Sequence, residues 1–232
     1  MTINLALTTL LTGAVILGQG APAKDSTGGL KESLAENQAK LRAYSWVETT
    51  QVTLKGEVKK QEQKQCYYGA DGKVQKTAVA GAPAAQPKEA TGGKRGGGKL
   101  KERVVENKVD EMKDYMEKVV ALVHEYVPPD AQKIGAAESA GNLSKSGATL
   151  NVKNYLKPGD LVAIGFDPAA KLLTSYTVQA YVEKPKEDDV KLAVTFGKLE
   201  DGTSYPQQIV LDVTAKKMQV KVTNSGYKKT GS

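Results

Sequence analysis

His124 is the only histidine and Cys66 the only cysteine in the sequence, so a Ser-His-Asp or Cys-His catalytic arrangement would have to be built on one of them. Neither has the company such chemistry needs. His124 lies beside the apolar stripe of a helical segment, no GxSxG elbow exists, and Cys66 has no partner motif, so the two read as a core-boundary histidine and a small buried hydrophobe. One His, one Cys and scattered carboxylates show no zinc or calcium spacing, and no metal or other cofactor is expected. The closing "SGYKKTG" contains Ser225-x-x-Lys228 and Lys229-Thr-Gly231, elements of serine β-lactamase sites. They abut in a polar tail, where those enzymes need them facing each other across a cleft. "KRGGGK" lacks the spacing, and the Ser or Thr on magnesium, of a phosphate loop. Asp71, Glu187, Asp188, Asp189, Glu200 and Asp201 sit at expected hairpin tips, where acidic residues form solvated turns. The sequence therefore reads as non-enzymatic.

What the elements must position is accordingly a surface. Leu30, Leu34 and Leu41 return at helical spacing and predict an amphipathic helix from about Leu30 to Arg42. From Tyr44 the period changes to two: Tyr44, Trp46, Val52, Leu54 and Val58 share parity against Ser45, Thr49, Gln51 and Thr53, the alternation of a long strand. Ala70-Asp71-Gly72 separates two shorter strand-like runs. Residues 80–99, "AGAPAAQPKEATGGKRGGGK", have almost nothing to bury and predict a flexible loop. The next segment, about Leu100 to Val127, repeats Val105, Val109, Met112, Met116, Val119, Val120, Val123 and Val127 at steps of three and four, until Pro128-Pro129 stop it. A polar connection at about 130–147 then precedes six strand patterns, at 148–156, 160–166, 172–184, 190–199, 207–214 and 217–223. Their short links imply antiparallel neighbours.

The ends and the charge bound the compartment. Residues 1–23, "MTINLALTTLLTGAVILGQGAPA", carry no charged side chain, run apolar from Leu5 to Leu17 and finish in Ala21-Pro22-Ala23. This predicts a secretory signal, leaving 24–232 as a single domain. With one cysteine no internal disulfide is possible, so the exported chain must be held by its core, which suits a bacterial periplasm. At 40% apolar and 25% charged residues the composition can supply that core. The net charge of +7 comes mostly from dispersed lysine, a pattern of solvated surface and of attraction to anionic lipid rather than a nucleic-acid footprint.

The stretch "VKLAVTFGKLEDGT" at 190–203 puts Val190, Leu192, Val194 and Phe196 on one side of a strand. Eight or nine such strands make a sheet roughly 40 Å wide, of which two helices cover about half. Something else must cover the remainder: a curl of the sheet, a second copy, or a ligand. The helix, the long strand starting near "YSWVETT", the covering helix, and the run "YTVQAYVEKPKEDDVKLAVTFGKLEDGTSYPQQIVLDVTAKKMQVKVTNSGYKK" together resemble the lipoprotein-carrier superfamily of the bacterial periplasm. The resemblance implies an α+β fold: an antiparallel sheet curved into an incomplete barrel, covered on its concave side by the two amphipathic helices. It also implies an apolar cavity for acyl chains, for transport or sensing. The inward residues Trp46, Val52, Leu54, Val178, Val182, Leu192, Val194 and Phe196 are the candidate lining. An acylated lipid or lipoprotein is the expected partner, with membrane-surface proteins beyond it and no nucleic acid. The rival expectation is an interaction module whose sheet face is covered by a partner protein or a second copy.

Overall fold

The computed structural model describes residues 36–79, 98–127, 129–167, 169–170 and 172–230, with the side chains of 98–110 and of residue 131 excepted. The expected secretory signal at 1–23 and nearly all of the expected loop at 80–99 lie outside these residues. The first expected helix is described only over 36–41.

Ten strands follow the period-two pattern: β1 (Tyr44–Leu54), β2 (Glu57–Tyr68), β3 (Val74–Ala78), β4 (Leu143–Ser146), β5 (Thr149–Lys153), β6 (Leu161–Asp167), β7 (Leu172–Tyr181), β8 (Asp189–Lys198), β9 (Ser204–Val213) and β10 (Met218–Lys229). Two helices, α1 (Gly98–Tyr126) and α2 (Ala131–Ser139), lie between β3 and β4. Every neighbour is antiparallel, and the strands form one open sheet in the order β3-β2-β1-β10-β9-β8-β7-β6-β5-β4. Two meanders, β1–β3 and β4–β10, are thus joined through β1 and β10, and the sheet does not close. The chain must travel from the β3 edge to the β4 edge. At 1.5 Å per residue, α1 is about 43 Å long, which matches the breadth of ten strands.

The expected long strand to Val58 breaks at Lys55 and Gly56, with φ of 53° and 83°, the two positive values a tight hairpin of twisted strands requires. The polar connection at 130–147 is not a loop. Asp130 caps α2 by accepting the Gln132 N–H at 2.8 Å, and β4 pairs with β5 along the sheet's edge. β10 runs past its expected end at 223 to Lys229, through a bulge against Ser45–Val47 in which Gly226 adopts φ +62°.

The core follows from register. Val152, Val162, Val178, Leu192, Leu211, Val220 and Val52 are opposed in turn across β5, β6, β7, β8, β9, β10 and β1. Leu150, Ile164, Tyr176, Val194, Ile209, Val222 and Thr50 form the adjacent row. Met116, Val119, Val123 and Tyr126 of α1 and Ile134 and Ala137 of α2 join these rows in one buried cluster. This is the fate of the apolar side of "VKLAVTFG": Val190, Leu192 and Val194 are buried there and Phe196 is half-buried against it.

Candidate functional site

Across the helix-facing side of the sheet, polarity changes from one end to the other. From β5 to β10 the two core rows hold Val, Ile, Leu and Tyr. They end on Val52 and Thr50 of β1, and on β2 they meet Lys60 and Glu62. The next row runs Asn224, Glu48, Lys64 over β10, β1 and β2. The apolar surface is therefore six strands wide, from β5 to β10, and a polar floor replaces it over β1–β3.

The apolar half is packed tightly where α1 lies on it. Leu122, Val123 and Tyr126 line, with Val178, Ala180, Val190 and Leu192, a partly open recess of about 10 Å³. That is the room of a single water, and its lining offers no polar partner, so it stays dry. Among the described residues, α1 makes buried hydrogen bonds at Tyr126, at its C-terminal end. Tyr126 donates its hydroxyl to Asp160 Oδ2 at 2.6 Å, and the Tyr126 carbonyl accepts the Tyr176 hydroxyl at 2.6 Å. Asp160, 2% exposed, also accepts the backbone N–H groups of Tyr155, Leu156 and Lys157 at 2.6, 2.9 and 3.0 Å. Tyr155 stacks on Tyr126 and accepts the Asp130 N–H at 2.7 Å through its hydroxyl, and burial pushes its own pKa up to about 12. Further along α1, Tyr115 buries its hydroxyl without a partner, and the Lys118–Glu183 pair is solvent-exposed on both sides.

The polar half is organised by β1. Glu48 and Lys76 form a largely buried pair, with Nζ 3.0 Å from both carboxylate oxygens. Glu62 is shared between Lys60 and Lys64 at 2.9 and 3.2 Å. Cys66 is fully buried opposite Trp46, and desolvation together with the Glu48 charge pushes its thiol up to about 12. The bulge at Gly226 turns Tyr227 onto Trp46, ring on ring at 5.5 Å and 10°, while Tyr68 packs against Trp46 at 5.5 Å with its ring tilted by 51°. Burial raises the Tyr68 hydroxyl to about 12 and that of Tyr227 higher still. Among the described residues two polar atoms here have no partner: the indole N–H of Trp46, 3% exposed, and Oδ1 of Asn224, 5% exposed, whose amide N–H donates to the Pro206 carbonyl at 2.8 Å.

The candidate lining residues divide between the two halves. Val178 and Leu192 line the small recess, Val194 is buried beside it, and Val52, Leu54, Val182 and Phe196 pack around the margin of the core cluster. Trp46 stands apart in the aromatic group at the polar end. The eight residues share an apolar or aromatic face, and two of them, Val178 and Leu192, line the small recess. Sequence reasoning missed the polar floor, although Glu48, Lys60, Glu62 and Lys64 have the parity of Trp46 and Val52 through the hairpin; alternation alone gave no reason to put charge inward. His124 is exposed on α1, and among the described residues no three of His, Cys, Asp and Glu gather as metal ligands. Among the same residues no helix is long and apolar enough to cross a membrane. No protein-family model matches the chain, and no curated protein matches it.

Proposed function

We propose that this chain is a non-enzymatic exported protein that binds an acylated molecule, a lipid or a lipoprotein, between α1 and the open sheet, for transport or sensing in the periplasm. In this reading the sheet curls into an incomplete barrel with the helices on its concave side. The observation that carries it is the way α1 is held. Over residues 111–126, where its side chains are described, the helix lies on the apolar rows by packing, its buried hydrogen bonds among the described residues are those at Tyr126, and Tyr115 leaves a hydroxyl unsatisfied beneath it. A cover fastened at one end can swing about Tyr126 and expose Val178, Leu192 and Val194 to an acyl chain that replaces it. Each methylene so buried contributes about 0.8 kcal/mol, enough for one chain to reach micromolar affinity after ordering costs. The lysine-rich surface favours residence near anionic membranes.

Purification from the native compartment, followed by native mass spectrometry and organic extraction, tests this. A copurified acyl lipid in about equimolar amount is the expected result; lipid-free protein that also fails to take up added fatty acid overturns it.

The tight packing under α1 favours a second reading, an interaction module in which the open β3 or β4 edge or the sheet face is covered by a partner or a second copy. A lipid-free dimer in the same measurement selects it.

A further inference from the structure

The polar floor and the apolar rows lie on one face of one sheet, and the two meet at β1 and β10. Such a surface matches an amphiphile laid across it, acyl chain over β7–β9 and head group over β10–β1–β2. Every charge of the floor has an opposite partner: Lys76 holds Glu48, and Glu62 is shared by Lys60 and Lys64, which leaves the floor one positive charge in excess. Among the described residues, the buried groups of the floor that lack a hydrogen-bond partner are one donor, the Trp46 indole N–H, and one acceptor, Asn224 Oδ1. Both are more than nine-tenths buried, and each unmade hydrogen bond at such depth is costly. Both side chains sit on β1 and β10 next to the Glu48–Asn224 step of the register.

We propose that Trp46 and Asn224 form the head-group subsite of the acyl-binding face, and that it selects a head carrying a secondary amide. The amide C=O accepts from the Trp46 indole and the amide N–H donates to Asn224 Oδ1. A carboxylate head supplies no donor for Asn224, and an ester supplies only the acceptor. This rests on the acyl-binding reading above and narrows its ligand.

Trp46 is the only tryptophan in the sequence, so its emission reports this subsite alone. The full mature chain is titrated with N-methyldodecanamide, methyl dodecanoate and dodecanoate, following Trp46 emission and, in parallel, native mass spectrometry. The expected result is an emission shift with the amide, which binds about tenfold more tightly than the ester, the worth of one added hydrogen bond. In Asn224→Leu that preference falls to about one while ester affinity is kept, and circular dichroism confirms folding. If the variant does not fold, the preference in the natural protein decides. Equal affinity for amide and ester, or complexes seen by mass spectrometry that leave Trp46 emission unchanged, overturns the subsite and leaves acyl binding standing. No complex with any probe overturns both, and ordered water alone then occupies the two orphan groups.

Discussion

Tyr126→Phe removes one hydroxyl from the fastening of α1 and nothing else. The ring that stacks on Tyr155 at 5.7 Å remains, as does the carbonyl that accepts Tyr176. The lost bond is 2.6 Å long, buried, and made to a carboxylate. Hydrogen bonds to charged groups contribute about 1.5–3 kcal/mol, and because Asp160 keeps three backbone donors the middle of that range is expected, about 2 kcal/mol. For a chain of this size that lowers the Tm by about 4–8 °C. Urea unfolding gives the loss directly, with Tyr181→Phe as control, since its hydroxyl bonds the Pro158 carbonyl in an exposed position and its removal costs under about 0.5 kcal/mol. Hydrogen exchange supplies the second readout. If Tyr126 fastens α1, the amides of residues 112–126 lose protection before those of β8 and β9 do. A loss below about 0.5 kcal/mol, or exchange that rises equally in helix and sheet, refutes the fastening and the swing built on it.

Leu192→Ala, 2% exposed beside the small recess, is expected to lower stability by about 2–5 kcal/mol in urea unfolding, because the packed sheet cannot collapse onto the space left. Cys66 is expected to be inert to a disulfide reagent at pH 8 in the folded protein and to react with one equivalent in guanidinium, since its thiol is buried and held near 12. Asp201, held below its ordinary pKa first by the Tyr44 hydroxyl at 2.5 Å, then by Thr203, with Lys229 adding, contributes stability that is complete above the unfolded carboxylate value of about 3.9. That contribution fades as the pH falls below it toward the lower folded value, and Asp201→Asn is expected to flatten that part of the stability–pH curve. Gly226→Ala forces a side chain into φ +62° and is expected to cost about 1–2 kcal/mol and to shift Trp46 emission, because the bulge sets the Tyr227 stack.

The regularity of particular segments decided what could be read in advance. Expected strands at 160–166, 172–184 and 190–199 appear as β6, β7 and β8 within three residues at each end, because alternation and turn residues agree there. α1 was legible from its valine stripe for the same reason. α2 was not, since it buries little beyond Ile134 and Ala137 and is started by a single cap. The Lys55-Gly56 hairpin hid inside a continuous alternation, because the register shift at Val52/Thr53 returns the inward residues of β2 to even numbers from Lys60 on; Val58, expected inward, instead opposes Thr53 and is exposed. The polar floor was hidden with it. The pairing of β1 with β10 joins residues some 175 apart, which no local pattern encodes.

That same pairing governs how the molecule must assemble. Until residues 218–229 are in hand, β1 has only one neighbour and β9 ends in a bare edge, so the two meanders can form but cannot be seamed. Topology of this kind makes folding slow and all-or-none at its final step. A chain cut short before β10 would present two sticky half-sheets, and would be expected to aggregate rather than to survive as a smaller version of the whole.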